Sequence, residues 1–428
     1  MYTETSNVMS VLPFALITNL ELNELCKSQV IPPNLDNHMY TLIEDLPSKL
    51  NVNIRKCNNL LTLLHINIRS LTKNIDKLHQ FISTLPIQPE IIAITETKLN
   101  KLSNLNLVKL NNYNFIYKNS LSCAGGVGMY IKEGVDFVER KEINFFNETV
   151  ESIWANIVVN KKHKITIGVI YRHPNNNINI FTDQFNEFLQ LLSNEKQSLY
   201  VTGDFNINIL TKSNKNISNY LSMTKSFNLH NIIKQPTRVC KTTSTCIDHI
   251  YTNNKNSIHK KFILIDAISD HFPLFCTIKI KYTVKKYEPL FIRNFSKLDM
   301  NKLLLDTNSA VQHLLHNFQK EPWKEIDTQF EELINTLKKI IDANIPLEKL
   351  SRKKTKLKQN PWITKEIIKA SKQKNKLYKK LVKCNFSNTE LDNEYKKHRN
   401  KLTHITKKAK QQHYQKLLNN SNTNSKQT

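Results

Sequence analysis

The chain has 428 residues, 39% of them hydrophobic, and carries a formal net charge of +26 at pH 7. Its length allows one large domain with extensions, or two domains, and its apolar content allows a real core. The seven cysteines include no C-x-x-C pair, which argues against zinc clusters and disulfide frameworks. No apolar run approaches the length of about 20 residues that crosses a bilayer, so we expect no membrane partner.

Residues 1–58 carry no pattern whose chemistry we can assign, and we treat them as an N-terminal extension of unknown role. Between residues 59 and 282, short β-rich runs alternate with helix-like segments such as Asn74–Leu85 and Phe181–Leu192. Many strands with a few helices between them predict a layered α/β sandwich, with functional loops at the strand ends. The predicted strands are Leu60–Ile68, Ile91–Thr95, Val127–Ile131, Ile153–Val159, Ile165–Tyr171, Leu199–Thr202, Cys246–Tyr251, Phe262–Ile265 and Leu274–Ile280.

After residue 283 the pattern is helical, with a connector over residues 283–350 and a basic tail over residues 351–428. Asn360-Pro361 predicts the start of one tail helix, and a heptad-like seam from Leu391 to Ala409 predicts a further helix suited to a helical hairpin or a short coiled coil. The tail holds 22 Lys/Arg and 4 Asp/Glu, a net charge of +18, so the other 350 residues carry 26 − 18 = +8. Such a charge block predicts a polyanionic partner, and the alternative is a solvated helix face rich in lysine.

Two polar residues at strand ends suggest a metal site. Asn67 ends the first predicted strand, and Glu96 follows the apolar run Ile91–Thr95. A carboxylate beside a carboxamide forms the sparse oxygen site that Mg²⁺ prefers, because this ion keeps several of its waters. Taken singly, Asn67 could instead close a turn and Glu96 could cap a helix.

Three further segments carry groups that suit phosphodiester hydrolysis. Asp204 and Asn206 stand two residues apart at the end of an apolar strand, where they can orient a water and contact a phosphate, or close an Asx-turn. Asp248-His249 and Asp270-His271 each join a carboxylate to a titratable ring, which a second Asp on a neighbouring strand can hold in its charged form. A single Asp-His pair is more often a surface hydrogen bond, so the inference depends on the set.

These strand ends belong to a longer series of segments in one order: Asn67-Ile-Arg-Ser-Leu, Thr95-Glu96-Thr97, Val169-Ile-Tyr171-Arg172-His-Pro174-Asn175, Gly203-Asp-Phe-Asn206, Gln235-Pro-Thr-Arg-Val, Ser244-Thr-Cys-Ile-Asp248-His-Ile-Tyr-Thr-Asn253, Ser269-Asp-His271 and Pro361-Trp-Ile-Thr-Lys. The series resembles the exonuclease–endonuclease–phosphatase superfamily, and in particular the apurinic/apyrimidinic-type endonuclease domain of non-LTR retrotransposons of the Jockey kind. The resemblance is close over residues 59–282 and looser over residues 283–415. It implies a four-layered α/β sandwich, followed by a helical basic extension.

The resemblance implies a hydrolase that nicks DNA and leaves a 3′-hydroxyl, as in target-primed retrotransposition. Glu96 would be the principal ligand of Mg²⁺ (or Mn²⁺), helped by Asn67 and Asp270. Asp204 would orient or deprotonate the attacking water, and Asn206 would fix the phosphate. Which group is the general base stays open.

The remaining implied roles concern charge stabilisation and DNA contact. His271, held by Asp248, would stabilise the pentacovalent state. Tyr171 would contact phosphate, and Arg172 and Thr245 would contact DNA. DNA is therefore the expected partner, with RNA of the same element as a second ligand for the basic tail.

The chain contains no Tyr/Phe-x-Asp-Asp polymerase signature, so we expect the truncated front part of such an element, without its reverse transcriptase. The run Arg352–Lys358 predicts nuclear import, with the cytoplasm as the alternative. We expect deletion of residues 351–428 to weaken DNA binding and to leave the cleavage chemistry intact. Two alternatives stay open: a catalytically idle nucleic-acid-binding remnant, and a phosphodiesterase acting on RNA, lipid or inositol substrates. The sequence predicts no oligomeric state.

Overall fold

A computed structural model of the chain describes residues 38–50, 60–280, 291–349 and 360–421, apart from residues 144, 161, 162, 196, 212, 321, 322 and 324. The predicted import run Arg352–Lys358 lies outside the described residues. Among the described helices, none is long and apolar enough to cross a membrane. Two β-sheets are stacked face to face between residues 38 and 280, with helices against them, which confirms the predicted layered α/β fold.

Seven strands lie side by side in the first sheet, in the order β1 (Tyr40–Thr41), β14 (Ile258–Leu264), β15 (Leu274–Lys279), β2 (Leu60–Asn67), β3 (Ile91–Thr95), β5 (Val127–Lys132) and β4 (Tyr113–Lys118). Strand β2 runs parallel to β3, so both strands end at the same edge of the sheet. Because side chains alternate along a strand, Leu63 packs into the core between the sheets and Leu64 packs into the outer core. His65 and Asn67 follow Leu63 at even spacing, so they point between the sheets.

Six strands form the second sheet, in the order β10 (His230–Asn231), β13 (Asp248–Thr252), β9 (Ser198–Asp204), β8 (Lys164–Arg172), β7 (Val150–Val158) and β6 (Phe137–Glu139). Strands β8 and β9 are parallel, whereas β13 is antiparallel to β9 and pairs Asp248 with Asp204. The ends of β8 and β9 and the start of β13 therefore meet at one edge. A separate two-stranded hairpin consists of β11 (Arg238–Val239) and β12 (Ser244–Thr245).

The described helices are α1 (Leu46–Leu50), α2 (Leu71–Thr84), α3 (Ile178–Ser193), α4 (Lys215–Ser226), α5 (Met300–Lys320), α6 (Ile326–Asn344), α7 (Lys365–Lys383) and α8 (Thr389–Ser421). Helix α2 buries Ile75, Leu78 and Phe81 in the outer core of the first sheet, because apolar residues three or four apart share one face of a helix. Phe185 of α3 lies in the larger core with Phe205, which follows β9. Helices and sheets thus form the layers of the sandwich.

The N-terminal boundary of this fold lies earlier than residue 59, where the sequence predicted it. Strand β1 pairs in parallel with β14, and Tyr40 is only 1% exposed. The Tyr40 hydroxyl donates a hydrogen bond to the carbonyl oxygen of Pro236 at 2.8 Å. A strand of two residues is too short to show alternation, which is why residues 38–50 carried no recognisable pattern.

Helices α7 and α8 form a hairpin that packs into the same core as the sheets. Leu377, Leu381 and Val382 of α7 belong to the apolar cluster that also contains β2 and β3 side chains. The predicted helix start at Asn360 is wrong, since α7 begins after Thr364, whose side chain accepts a hydrogen bond from the Ile367 amide. The basic tail is therefore, over residues 360–421, an integral layer of the folded unit and not a separate appendage.

Residues 291–349 are mainly helical. Helices α5 and α6 pack against each other, and Leu314 and Ile340 are buried. A small antiparallel pair, β16 (Phe291–Arg293) and β17 (Leu347–Lys349), closes the segment.

Candidate active site

Polar side chains from both sheets meet where their strands end. Asn67 is the last residue of β2, Asp204 is the last residue of β9, and Asp248 is the first residue of β13. Glu96 comes directly after β3 and adopts a left-handed backbone with φ 51°. His271 lies just before β15. Backbone strain of this kind concentrates at functional sites, which fits the position of Glu96.

Asn67 connects the two sheets through its side-chain amide. Its Nδ2 donates to Oε1 of Glu96 at 3.0 Å and to Oδ2 of Asp204 at 2.9 Å. Its Oδ1 accepts from the backbone amide of Arg69 at 3.2 Å. The two carboxylates therefore lie on either side of one amide, and Asn67 would offer its oxygen to a metal after its amide turns over.

Asp248 and His271 form a buried pair beside these carboxylates. Nδ1 of His271 lies 2.8 Å from Oδ2 of Asp248, which also accepts from the Thr237 hydroxyl at 2.6 Å. The other oxygen, Oδ1, has no hydrogen-bond partner among the described residues, and Nδ1 of His65 lies 3.9 Å from it. The pair thus has the acid–imidazole geometry that orients a catalytic ring.

The ionisable groups of the site have pKa values that are shifted in different directions. Burial, together with the charge of Asp248, raises the pKa of Asp204 to about 7, although His271 opposes this. Burial acts to raise the pKa of Asp248 as well, but His271 and Thr237 outweigh it and the pKa falls below its ordinary value. Burial acts to lower the pKa of His271, yet the charges of Asp248, Asp204 and Asp270 raise it to about 9. The imidazole is therefore positively charged at neutral pH, next to a carboxylate that titrates near pH 7.

The donor atoms suit a divalent cation. Ligand atoms of Asp204, Asp248 and His271 lie within 4.8 Å of one another, and Glu96 adjoins them through Asn67. The unpartnered Oδ1 of Asp248 leaves a buried lone pair for a ligand. The imidazole of His271, cationic at neutral pH, is not counted as a ligand, and the carboxylate and amide oxygens match hard divalent ions such as Mg²⁺ or Mn²⁺.

Asp270, predicted as a third metal ligand, faces the rim of the site. Oδ2 of Asp270 accepts from the guanidinium of Arg238 at 2.7 Å, and its Oδ1 lies 3.4 Å from the guanidinium of Arg69. It is not part of the cluster formed by Asp204, Asp248 and His271. The two arginines, which are 43% and 62% exposed in their side chains, make this rim cationic.

Tyr171 and Asn206 both lie next to Asp204 in the predicted site. Tyr171 lies opposite Asp204 in the register of β8 and β9, and burial with the charge of Glu96 raises its pKa. The backbone amide of Asn206 donates to Oδ1 of Asp204 at 3.0 Å, so the segment Gly203-Asp-Phe-Asn206 does close the Asx-type turn that was its simpler interpretation.

Of the two residues predicted to contact DNA, Arg172 occupies a structural position. Arg172 is 1% exposed, and its guanidinium donates to the carbonyl oxygens of Phe205 at 2.7 Å and Asn206 at 2.9 Å. These bonds clamp the turn after β9, and a buried guanidinium already used in this way cannot reach a phosphate in this arrangement. Thr245 pairs with Arg238 in the β11–β12 hairpin and is partly buried.

Three site-supporting residues were missed by the sequence analysis. Thr237 belongs to the segment Gln235-Pro-Thr-Arg-Val, but nothing in that segment indicated its bond to Asp248. His65, fully buried, lies 3.2 Å from the Thr95 hydroxyl through Nε2. Glu151 is also fully buried and accepts hydrogen bonds from the amides of Gly126 and Leu121. The sequence did contain a signal for His65. In the β2 segment Leu-Leu-His-Ile-Asn, this polar side chain interrupts the apolar face that points between the sheets.

Stacked sheets flanked by helices, with acid, amide and imidazole groups at the strand ends, define a layered α/β sandwich with a polar site at one edge. Residues 59–271 match the sequence profile of the Endonuclease/Exonuclease/phosphatase family, and this part of the chain is a domain of that fold. Members of this family are hydrolases that include phosphodiesterases and nucleases, and they typically depend on a divalent metal.

Several solved structures are similar to the same half of the chain. They include the AP endonuclease LMAP from Leishmania major, at 13% identity, covering 52% of this chain and 89% of that one, with a TM-score of 0.44. The endonuclease domain of TRAS1, a telomere-specific non-LTR retrotransposon, has 13% identity, covers 52% of this chain and 99% of that one, and has a TM-score of 0.42. The APE2 catalytic domain of Xenopus laevis has 16% identity, covers 53% of this chain and 94% of that one, and has a TM-score of 0.41. No curated protein matches the sequence.

Proposed function

We propose that this domain is a Mg²⁺-dependent endonuclease that nicks one strand of DNA and leaves a 3′-hydroxyl, as in target-primed retrotransposition. The observation that carries the proposal is the junction of the two sheets, where Asn67 bonds both Glu96 and Asp204. The His271–Asp248 pair stands beside it, at 2.8 Å. The retrotransposon assignment is supported by the segments Gln235-Pro-Thr-Arg-Val and Ser244–Asn253, which resemble the Jockey-like sequences.

In the proposed reaction Asp204 acts on the attacking water. A carboxylate with a pKa of about 7 can accept a proton near neutral pH, and Asn67 and the Asn206 amide hold it in place. As the water oxygen bonds to phosphorus and gives its proton to Asp204, the bond to the 3′-oxygen breaks and that oxygen takes a proton from solvent water. A divalent cation held by Glu96 and Asn67 would supply neutralisation of the phosphate charge and activation of water.

His271 has the complementary role in this scheme. Its pKa of about 9 keeps the imidazole cationic at neutral pH, and the ring is fixed by Asp248. A fixed positive charge stabilises the negative charge that builds up on the phosphate oxygens in the transition state. The exposed guanidiniums of Arg69 and Arg238 at the rim suit the flanking phosphates.

A nucleic acid is the proposed substrate because cationic groups lie at the rim of the site, and the Jockey-like segments favour DNA. Residues 360–421 contain 16 Lys/Arg and 4 Asp/Glu, a net charge of 16 − 4 = +12, and this hairpin packs on the domain. Phosphate contacts by Lys and Arg supply most of the non-specific affinity for nucleic acid. The same surface is the proposed site for RNA of the element, and nuclear localisation is part of the same proposal.

The test is relaxation of supercoiled plasmid in the presence of Mg²⁺. We expect nicking by the wild type and a rate lower by about a hundredfold or more for Glu96→Ala and Asp204→Ala. Glu133→Ala, which removes an exposed carboxylate from a turn, is the matched control and should retain full activity. DNA binding without nicking by the wild type would replace the proposal with a catalytically idle binding remnant. Cleavage of RNA or lipid phosphodiesters in preference to DNA would change the substrate.

A further inference from the structure

A buried ion pair joins helix α7 to the loop that carries Asp270 and His271. This loop, residues 265–273, connects β14 to β15. Its Asp266 is 4% exposed, and Oδ1 lies 3.2 Å from Nζ of Lys374. Asn375 donates from Nδ2 to the other oxygen of Asp266 at 2.6 Å. Both α7 residues are themselves buried, so the carboxylate is held from two sides without solvent between the groups.

A second contact from α7 reaches the neighbour of His271. The ring of Tyr378 packs edge-on against Phe272, with 6.0 Å between ring centroids. Phe272 is 3% exposed, and its backbone amide donates to the carbonyl oxygen of Thr237 at 2.7 Å. Thr237 in turn bonds Asp248, the partner of His271. A chain of contacts therefore leads from Tyr378 of α7 through Phe272 and Thr237 to the Asp248–His271 pair.

Backbone hydrogen bonds hold the two ends of the loop, since Ile265 donates to the carbonyl oxygen of Thr41 at 2.9 Å and Phe272 donates to that of Thr237, and side-chain anchors hold its middle. The amide of Asp266 donates to the carbonyl oxygen of Leu264, the last residue of β14, and the Ser269 hydroxyl donates to the carbonyl oxygen of Asn67 at 2.6 Å. Between these points, α7 supplies the ion pair and the Tyr378 ring. Without α7, the buried carboxylate of Asp266 would lose its two closest donors and draw water into the core.

We propose that Lys374, Asn375 and Tyr378 of α7 are positioning residues that fix the loop presenting Asp270 and His271 to the active site. The effect on catalysis rests on the proposed nuclease function. The effect on the loop does not, because it concerns only packing within this chain. Helix α7, found in a segment whose charge suggests DNA binding alone, thus becomes part of the catalytic unit.

Two lysines two residues apart on α7 provide a matched pair of variants. Lys374→Met breaks the buried pair, whereas Lys376→Met removes an exposed lysine that bonds Glu44 at 3.1 Å. Both remove one positive charge from the same helix, so any loss of attraction to DNA is the same. Tyr378→Ala and Tyr378→Phe form a second pair, in which only the first removes the ring that contacts Phe272.

Amide hydrogen exchange of peptides covering residues 266–272, together with nicking kinetics at saturating Mg²⁺, tests the proposal. We expect Lys374→Met and Tyr378→Ala to speed exchange in this loop and to lower kcat by about tenfold or more, with little change in KM. Lys376→Met and Tyr378→Phe should leave loop exchange and kcat as in the wild type, and any loss of DNA attraction in Lys376→Met should appear only in KM. Adding Asp266→Asn to Lys374→Met should restore part of the protection, because the uncompensated charge is removed.

Loop exchange and nicking kinetics distinguish a failure of the positioning role from a failure of the proposed nuclease function. Unchanged loop exchange in both Lys374→Met and Tyr378→Ala overturns the positioning role, whatever the enzyme activity. If Lys374→Met instead unfolds, exchange in the milder Tyr378→Ala variant decides. If loop exchange is faster in the two variants but the wild type does not nick DNA, the structural role of α7 is supported and only the proposed nuclease function is removed. Faster exchange with unchanged kcat overturns the link to catalysis.

Discussion

Nδ1 of His271 lies 2.8 Å from Oδ2 of Asp248, and both side chains are enclosed between the two sheets. The pairing keeps the imidazole charged in a place where burial alone would neutralise it. The Thr237 hydroxyl, bonded to the same carboxylate oxygen at 2.6 Å, fixes the orientation of Asp248. The charge of the His271 imidazole therefore depends on the position of Asp248, a buried acid at the start of β13.

Asp248→Asn should lower the pKa of His271 from about 9 to near or below its ordinary value of about 6.5, because the largest favourable charge is lost while burial remains. A histidine with a raised folded pKa contributes stability that is fully present below pH 6.5 and is lost as the pH rises through about 9. NMR titration of the imidazole in the metal-free protein measures the shift. Asp183→Asn, at an exposed helix position, is the control. An unchanged His271 titration in Asp248→Asn would contradict the coupling.

The fully buried His249 should make the fold sensitive to acid. Burial lowers its pKa to about 4, despite its bond to the carbonyl oxygen of Cys246. Stability from such a neutral histidine is present above the unfolded pKa of about 6.5 and is lost as the pH falls towards 4, by up to about 3 kcal/mol. His249→Gln should flatten the pH dependence of the free energy of unfolding in this window. His163→Gln, which changes an exposed histidine, should leave the slope unchanged; equal slopes in both variants would refute the prediction.

Gly203 permits the close approach of β8 and β9 just before Asp204. Its φ is +153°, and a Cβ built on it would lie 1.8 Å from the carbonyl oxygen of Ile170. Gly203→Ala should therefore cost about 3 kcal/mol or more of stability and displace Asp204. Gly134→Asn, at a turn with φ +87°, is the control, since Asn tolerates left-handed backbone. Denaturant unfolding measures both, and a Gly203→Ala protein as stable as the control variant would contradict the steric argument.

The centre of the fold could be predicted because buried strands leave continuous apolar runs. The predicted strand Ile91–Thr95 has the bounds that the structure gives it, and Ile165–Tyr171 lies within β8. Strand β4 was missed because only its first residue is buried, so its alternation is weak. Helix α4 was missed because its Ser- and Asn-rich sequence has low helix propensity.

The site could be predicted only as far as its polar groups stood at strand ends in a recognisable order. The bond between Asn67 and Asp204 joins residues 137 positions apart, and nothing local to either one encodes it. The pair Asp266–Lys374 is hidden in the same way, because Lys374 stands among many solvent-facing lysines of the same helix. Burial of one lysine within a basic segment depends on tertiary packing, which charge counting cannot reveal.

Deletion of residues 360–428 should destabilise the whole domain, in contrast to the sequence-based expectation of a separable tail. The deletion exposes the core positions that Leu377 and Val382 cover, and it leaves Asp266 without Lys374. An uncompensated buried charge alone costs about 3–5 kcal/mol, and each newly exposed apolar side chain adds to this. Thermal unfolding should show a lower midpoint or no cooperative transition. Deletion of residues 422–428 alone is the control, and a full deletion with an unchanged midpoint would restore the expectation that the tail is separable from the domain.

The exposed lysines of α8 should govern the salt dependence of DNA binding. Lys396 lies 2.9 Å from Asp392, which also lies 3.9 Å from Lys241 in the β11–β12 hairpin, so this end of α8 is beside the site rim. Replacing Lys396, Lys397 and Lys401 by Gln should reduce the slope of log Kd against log salt by about 0.9 for each phosphate that the variant no longer neutralises. The matched control replaces three exposed lysines of α5 and α6, namely Lys302, Lys338 and Lys339. Because both triple variants lose the same charge, a smaller slope only in the first assigns the DNA contact to α8, whereas equal slopes would mean that net charge alone attracts the DNA.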